Sequence, residues 1–350
     1  SWASSTYALF MEMGTGKSKV LVDNIAMLYD KGAIRGALIV APKGVYKNWD
    51  EIEFPVHLPD HIQHTKVLWD PSITKKKQME LDTLFDGGDD LKILIMNVEA
   101  FSTTKGLDFA HSFLNIFLGR ALIGIDESTT IKSPTAKRTK NILKIGELAK
   151  YRRILTGSPV TKSPLDLYTQ CKFLDPFHLD EASYYAFRAR YANMVKRNFG
   201  GRSVQLVTSY RRLDELAAKL EKFSYRVLKE DCLDLPPKVF TTRIVELSDE
   251  QKEMYKTMKH AAIAEHQGKI MSSMSALTTL LRLHQITCGT FKADDDTITH
   301  LKNNRVQALM DCLEEVEGKV IIWATYREDI KKIVESLKKA YGEASTVEYH

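Results

Sequence analysis

Short apolar runs alternate with helix-like stretches over roughly the first half of the chain. The strand-like runs are Tyr7–Met11, Gly36–Ala41, and the segments TKVLW, LKILIMN, RALIGID and YRRILTG. Between them, apolar residues recur with helical spacing, as in Lys17–Tyr29. Runs that are apolar at nearly every position are typical of strands buried on both faces. The pattern predicts an α/β fold, with a parallel sheet covered by helices on both sides.

The pattern changes between about Asp180 and Lys229. The segment EASYYAFRARYANMV predicts a helix, and VKRNFGGRSVQLV predicts a hairpin that turns at Gly200-Gly201. A second helix is predicted in RRLDELAAKLEKF, before Pro236-Pro237 interrupts the chain.

An α/β pattern returns near the end of the sequence. Two long helices are predicted first, at about Ser248–Gln267 and Met271–Gln285, followed by an acidic loop, KADDDT. The segment KVIIWAT then predicts a strand, Arg327–Tyr341 a helix, and STVEYH another strand.

Composition and charge are ordinary for a globular protein, but the charge is unevenly distributed. The 350 residues are 44% hydrophobic and 27% charged, with a net charge of +5. Residues 181–230 contain eleven basic and five acidic residues, so this segment alone carries +6. The rest of the chain is therefore close to neutral, and a polyanionic partner would be attracted to one region.

Two further features bear on the environment of the protein. The four cysteines are far apart and none forms a C-x-x-C pair, which favours a reducing compartment such as the cytoplasm. No apolar run approaches 18 residues, so we expect no membrane span.

A glycine-rich segment, MEMGTGKSK, lies between a predicted strand and a predicted helix. In this setting successive backbone N–H groups can surround a phosphate at a helix N-terminus. The predicted nucleotide-binding residues are Met13, Gly14, Thr15, Gly16, Lys17, Ser18 and Lys19. Lys17 would reach the β- and γ-phosphates, and Ser18 would hold Mg²⁺. The alternative is a simple glycine-rich turn, and Met11 does stand where the general pattern has its first glycine.

Two adjacent carboxylates, Asp126 and Glu127, follow the apolar run that begins at Ala121. Carboxylates at the end of a buried strand are costly unless a cation or a hydrogen bond compensates them. Beside a phosphate loop, Asp126 would complete the Mg²⁺ site and Glu127 would polarise the attacking water. The alternative is that the pair caps the helix that follows.

The order of several motifs resembles the Swi/Snf-like branch of superfamily 2 helicases, the DEAD/DEAH-box ATPases that move on double-stranded DNA, in a small bacterial or phage-type version. The matching segments, in chain order, are MEMGTGKSK, LIVAPKGVYKNWDEI, IMNVEAF, IDESTTIKSP, LTGSPVTKSPLDLYTQCKFLDP, LKEDCLDLPPKVF, ELSDEQKEMYK and KVIIWATYREDI. The similarity extends over nearly the whole chain.

This resemblance implies a RecA-like phosphate-loop sheet with helical insertions, followed by the start of a second RecA-like lobe. The expected regions are a first ATP-binding lobe at 1–176, a helical and basic protrusion at 177–237, a helical part of the second lobe at 238–300, and an incomplete second lobe at 301–350.

It also implies a function: ATP hydrolysis with Mg²⁺ that drives translocation on double-stranded DNA, or its remodelling or unwinding. Lys17, Asp126 and Glu127 would be catalytic. Thr156, Gly157 and Ser158 would couple nucleotide to DNA. The residues expected near DNA are Lys43, Asn48, Asn97, Arg188, Arg190, Lys196 and Arg197. Single-stranded or branched DNA are further possible partners.

The sequence departs from the family pattern in two ways. Ser128-Thr129 replace the usual Ala-His, and that histidine normally links the nucleotide site to the segment around Thr156. In addition, the chain stops before the last two family motifs, which contain the arginine finger. We therefore expect a fragment of a longer protein that is nearly inactive on its own.

Other interpretations remain open at this point. They are a strand-separating or branch-migrating helicase with the Phe199–Arg202 hairpin as its pin, the motor subunit of a restriction-type complex, and a non-enzymatic, ATP-gated DNA clamp. For all of them the expected location is the cytoplasm, associated with the nucleoid in a bacterium or in the host cytoplasm for a phage.

Overall fold

A computed structural model of the protein describes residues 4–72, 74–199, 202–266, 273–292 and 297–349. The chain forms two compact units, residues 1–236 and residues 237–350.

The first unit contains a seven-stranded, fully parallel sheet with the order β3-β4-β2-β5-β6-β1-β9. Its strands are β1 (Thr6–Met11), β2 (Gly36–Ala41), β3 (His64–Leu68), β4 (Leu91–Asn97), β5 (Ala121–Asp126), β6 (Tyr151–Leu155) and β9 (Ser224–Val227). The first six correspond to the predicted apolar runs. The prediction of a parallel α/β sheet is therefore confirmed.

Apolar residues line both faces of this sheet. In β2, Leu38 and Val40 belong to one buried cluster, whereas Ala37 and Ile39 belong to another on the opposite face. Successive side chains of a strand point to opposite faces, so each strand contributes to both clusters. This explains why the strands appear as continuous apolar runs in the sequence.

Helices and turns connect the strands of the first unit. The helices are α1 (Lys17–Asp30), α2 (Tyr46–Asn48), α3 (Phe54–His57), α4 (Lys75–Asp82), α5 (Thr104–Ile116), α6 (Lys137–Gly146), α7 (Leu167–Leu174), α8 (Tyr184–Tyr191), α9 (Leu213–Glu221) and α10 (Lys229–Cys232). A π-helical turn, Trp49–Glu53, joins α2 to α3.

The basic segment contains a hairpin as well as helices. Strands β7 (Ala192–Phe199) and β8 (Arg202–Tyr210) pair antiparallel, with Phe199 opposite Arg202. The predicted turn at Gly200-Gly201 lies outside the described residues. The predicted helix through ANMV was wrong, because α8 ends at Tyr191 and Ala192 already has extended backbone angles. Cross-strand pairing with β8 satisfies the backbone from Ala192 onward instead.

The second unit is mainly helical in its described part. It contains α11 (Asp249–His266), α12 (Ser273–Cys288), α13 (Arg305–Glu314), α14 (Arg327–Tyr341) and an antiparallel pair, β10 (Thr290–Lys292) and β11 (Ile298–His300). The acidic loop KADDDT falls largely outside the described residues.

Two strand predictions in this unit were wrong. KVIIWAT and the described part of STVEYH contain no strand, and Ser345 instead ends a short 3-10 helix, Glu343–Ser345. A strand is stable only when a neighbour satisfies its backbone groups. The side chains of Ile321 and Trp323 are 81% and 89% exposed, so these apolar residues also lack a packed face. Within the described residues, no helix is long and apolar enough to cross a membrane.

Candidate active site

The predicted site residues follow strand ends that share one edge of the sheet. Strands β1, β2, β4, β5 and β6 run parallel, so their carboxyl ends lie at the same edge. The loops that leave this edge are the usual place for a ligand in an open α/β sheet.

The predicted phosphate loop, residues 12–16, joins β1 to α1. Gly14 and Gly16 have φ angles of 86° and 90°, which side chains rarely tolerate. Thr15 secures the turn, since its hydroxyl donates a 2.7 Å hydrogen bond to the carbonyl of Glu12. Helix α1 begins at Lys17, and no described side chain caps its first turn. The first N–H groups of this helix therefore point toward a position suited to an anion.

Lys17 and Glu127 meet across the site. The Lys17 Nζ atom lies 3.6 Å from Glu127 Oε1, and the Lys17 side chain is only 12% exposed. The other carboxylate oxygen, Oε2, accepts a hydrogen bond of 3.3 Å from the Thr156 hydroxyl. Glu127 has a left-handed backbone, with φ of 45°. Strain of this kind at a non-glycine residue persists only where neighbouring contacts hold it, and it is frequent at active sites.

Asp126 lies at the end of β5 and is largely buried. Its Oδ1 atom accepts a 2.9 Å hydrogen bond from the backbone N–H of Glu127, and its Oδ2 atom accepts a 3.0 Å bond from Trp49 Nε1. Burial raises the pKa of Asp126, while the bond from Trp49 acts in the opposite direction. A cation beside this carboxylate would offset the cost of burying its charge.

This donor set fits a Mg²⁺-bound nucleotide. Lys17 supplies a positive charge at the start of α1, and Ser18 supplies a hydroxyl one residue later. Asp126 supplies a fixed carboxylate, and Mg²⁺ prefers such oxygen ligands. The structure brings Lys17, Asp126, Glu127 and Thr156 together, but their individual roles remain predictions.

The segment around Thr156 contacts the phosphate loop directly. A Cβ atom added at Gly157 would lie 3.2 Å from Glu12 Cα, so the two backbones nearly touch. The Thr156 hydroxyl also accepts a 3.2 Å hydrogen bond from the backbone N–H of Ser158. A movement of the phosphate loop would therefore be transmitted directly to the predicted coupling residues, Thr156, Gly157 and Ser158.

A hydrogen-bonded pair, Ser128 and Gln170, connects the segment after Asp126-Glu127 to the residues that follow Ser158. The buried Ser128 hydroxyl donates a 2.7 Å hydrogen bond to Gln170 Oε1. The amide nitrogen of Gln170 donates to the carbonyls of Pro159 and Asp166, each at 2.8 Å. These bonds provide a physical connection in a chain that lacks the family histidine.

The residues predicted to contact DNA fall into two groups, and the first lies at the sheet edge. Lys43 and Asn48 are exposed on the segment that follows β2. Asn97 ends β4 and is mostly buried, with its amide donating a 3.0 Å hydrogen bond to Glu99 Oε2. Of these three residues, only Lys43 and Asn48 are therefore exposed to solvent.

The second group lies on α8 and β7. Lys196 and Arg197 are exposed on the hairpin. Arg188 lies 5.3 Å from the Tyr185 ring centroid. Arg190 is ion-paired, because its Nε donates a 2.7 Å hydrogen bond to Glu215 Oε1, although its side chain stays 38% exposed. That bond lowers the pKa of Glu215 to about 2.

Glu12 has a role that the sequence reasoning missed. Its Oε2 atom accepts a 2.7 Å hydrogen bond from the backbone N–H of Lys229, and its own N–H donates to the carbonyl of Val227. The chain after β9 is thereby fixed to the phosphate loop. No local sequence signal identifies this contact, since the partners are 217 residues apart.

One family model matches most of the chain. The family model described as SNF2-related domain matches residues 5–291. The helicase-like transcription factor of Oryctolagus cuniculus is 28% identical over 313 residues, covering 82% of this chain and 27% of that protein. An uncharacterized ATP-dependent helicase of Mycoplasma genitalium is 23% identical over 333 residues, covering 93% of this chain and 29% of that protein. The chain thus spans less than a third of the length of these relatives.

Among solved structures, the SWI2/SNF2 ATPase core of Sulfolobus solfataricus in complex with dsDNA is 22% identical to this chain. It superimposes with a TM-score of 0.49, covering 96% of this chain and 66% of that one.

Proposed function

The chain belongs to the SNF2-related domain family, and we propose that the protein containing it hydrolyses ATP to translocate on, or remodel, double-stranded DNA. The observation that carries this proposal is the contact of Lys17 and Thr156 with the two ends of one carboxylate, Glu127, beside the phosphate loop. A structural turn would need neither the cation nor the strained acidic residue. Both are what phosphoryl transfer to water requires.

Nucleotide binding would proceed through groups already in position. The N–H groups at the start of α1 and the Lys17 ammonium would hold the phosphates. Ser18 and Asp126 would hold Mg²⁺, which would neutralise charge that develops on the phosphate oxygens. Lys17 would exchange its contact with Glu127 for a phosphate, because a phosphate carries more charge and accepts more hydrogen bonds.

The same exchange would prepare the catalytic base. Once Lys17 turns to the phosphate, Glu127 Oε1 is free to orient a water and accept its proton. Thr156 would keep the other oxygen in place through the hydrogen bond to Oε2. Since Gly157 touches the phosphate loop, the state of the γ-phosphate would be transmitted to the 156–158 segment.

We propose duplex DNA as the polymer partner and the cytoplasm as the location. Local charge supports DNA: residues 181–230 carry +6, and Lys196 and Arg197 are exposed on β7. Exposed cations supply sequence-independent affinity by displacing counterions from phosphates. All four cysteines are free, which supports a reducing compartment.

The direct test is the ATPase rate of the full-length protein with no nucleic acid, with single strands, with blunt duplex and with forked DNA. We expect the largest stimulation from blunt duplex, without displacement of a labelled strand. A rate that is indifferent to all three nucleic acids would contradict the proposal.

Strand separation is a second candidate, and the β7–β8 hairpin is the observation that favours it. Its side chains are mostly exposed, so it projects from the body of the first unit. If forked DNA stimulates the rate more than blunt duplex does, and the labelled strand is released, strand separation replaces translocation as the preferred function.

Reversing the charge of two hairpin residues tests the DNA surface. In the double variant Lys196→Glu/Arg197→Glu, we expect weaker duplex binding and a salt dependence that is shallower by about 0.9 per lost phosphate contact. Duplex affinity should be measured by fluorescence anisotropy between 50 mM and 200 mM salt, the range over which counterion release is large.

The matched control makes the same change in net charge at another exposed pair. Lys75→Glu/Lys76→Glu lies on α4, where both side chains are exposed. It should leave the salt slope unchanged. Equal slopes for the hairpin variant and the wild type would show that the hairpin is only a solvated surface. Arg190 is left intact in this experiment because Glu215 holds it.

A further inference from the structure

Trp49 connects the exposed segment after β2 to Asp126, the carboxylate predicted to bind Mg²⁺. Its indole Nε1 donates a 3.0 Å hydrogen bond to Asp126 Oδ2, and the side chain is 1% exposed. In sequence it directly follows Asn48, an exposed residue predicted to contact DNA. Because β2 and β5 are neighbours in the sheet, the loop leaving β2 passes beside the end of β5.

Trp49 lies at the start of a local irregularity in the backbone. The chain from Tyr46 to His57 is helical, but its middle, Trp49–Glu53, is a π-helical turn. A π turn contains more residues than an α turn and rotates the side chains that follow, and such turns are frequent at functional sites. Here Asn48 stays in solvent while Trp49 enters the core.

The π turn is itself secured. Lys66 Nζ lies 2.8 Å from Asp50 Oδ1, and the Trp49 ring packs against Phe54 with centroids 6.0 Å apart. The segment is therefore tied to β3 through Lys66, and a displacement of the segment would shift the indole N–H because Trp49 belongs to it. Core filling alone would not require the indole N–H.

The other oxygen of Asp126 is already occupied, since Oδ1 accepts the backbone N–H of Glu127. The hydrogen bond from Trp49 to Oδ2 therefore restrains rotation of the Asp126 carboxylate about its Cβ–Cγ bond. A carboxylate that must meet a metal ion is usually oriented in this way by neighbouring donors.

We propose that Trp49 is a positioning residue that couples the DNA-facing segment Lys43–Asn48 to Asp126, so that DNA bound there changes how tightly Mg²⁺ and the nucleotide are held. This inference rests on the proposed function. By linkage, nucleotide with Mg²⁺ must change the affinity for DNA by the same factor.

Trp49→Phe in the full-length protein tests the inference through binding rather than turnover. Affinity for a non-hydrolysable ATP analogue should be measured by calorimetry in the presence of EDTA and in the presence of Mg²⁺, with and without duplex DNA. We expect affinity in EDTA to be unchanged. The gain on adding Mg²⁺ should fall roughly tenfold, as for a lost hydrogen bond to a charged group, and the further effect of duplex should disappear.

Trp69→Phe is the matched control. Trp69 is 2% exposed and packs against Phe109, with ring centroids 4.9 Å apart, so its replacement perturbs the core of the same unit to a similar extent. Both binding effects should stay at their wild-type values in this variant.

The remaining outcomes are distinguishable. If Trp49→Phe keeps both the Mg²⁺ gain and the duplex effect, Trp49 only fills the core and the inference is wrong. If only the Mg²⁺ gain falls, the coupling to DNA is wrong. If the wild type itself gains no ATP affinity with Mg²⁺, the proposed function fails first. Should Trp49→Phe not fold, 3-benzothienylalanine at position 49 repeats the test, because sulfur replaces the N–H in a ring of nearly the same shape.

Discussion

Replacing Lys17 with alanine should abolish ATP turnover in the full-length protein. Lys17 is the first residue of α1, and its mostly buried side chain places the ammonium beside the carboxylate of Glu127. We propose that its ammonium holds the transferred phosphate, and such a charge-assisted bond contributes about 1.5–3 kcal/mol to binding. The effect on rate should be larger than on binding, because charge on the phosphate oxygens increases in the transition state.

The measurement is steady-state ATPase activity together with nucleotide affinity. Lys31→Ala is the control, since Lys31 lies at the other end of the same helix and is exposed. That variant should keep its rate within about twofold, as is usual for surface substitutions. Normal hydrolysis by Lys17→Ala would show that the glycine-rich turn is not a phosphate loop.

The sheet was predictable because its strands are buried on both faces. In β2, β4 and β5, neighbouring residues along each strand alternate between two buried clusters. An apolar run is then the direct consequence of position, and no other part of the chain is needed to interpret it. Strand β9 was missed for the opposite reason. None of its four residues, Ser224–Val227, is buried, and pairing with β1 rather than composition makes them a strand.

KVIIWAT shows the limit of the same reasoning. The sequence has the composition of a buried strand, yet Ile321 and Trp323 are exposed and unpaired within the described part of the second unit. Apolar composition indicates what a segment can become when a neighbouring strand is present. It does not supply that neighbour.

The candidate site, like the fold, was only partly predictable from the sequence. The phosphate loop and the Asp126-Glu127 pair could be predicted, because parallel strands place their carboxyl ends at one edge. The contacts that orient them could not. Trp49 and Asp126 are 77 residues apart, and no local pattern predicts their hydrogen bond or the π turn that begins at Trp49. The ion pair between Arg190 and Glu215 likewise joins residues 25 positions apart, and no local pattern predicts it.

Replacing Glu127 with glutamine should separate nucleotide binding from hydrolysis. Glutamine has the same size, and its amide oxygen can still accept the hydrogen bond from Thr156 that now reaches Oε2. It carries no negative charge and cannot accept a proton from water. Since general base catalysis contributes roughly 10²–10⁴ to a rate, turnover should fall by at least about a hundredfold.

Nucleotide affinity should not fall with turnover in this variant. In the wild type the Lys17 ammonium lies 3.6 Å from Glu127 Oε1, and this contact competes with a phosphate for the same cation. Removing the carboxylate charge frees Lys17, while Asp126 and Ser18 remain available for Mg²⁺. We therefore expect ATP to bind at least as tightly as in the wild type and to stay uncleaved in the site.

Single-turnover hydrolysis and calorimetric ATP affinity together decide the role of Glu127. Glu147→Gln, an exposed position at the end of α6, controls for the loss of one acidic charge and should leave both quantities unchanged. If Glu127→Gln loses affinity in proportion to turnover, Glu127 holds the nucleotide rather than activating water. The alternative that the Asp-Glu pair merely caps the following turn predicts a different result, a lower melting temperature with no specific loss of hydrolysis, because a cap contributes about 0.5–2 kcal/mol to stability and nothing to proton transfer.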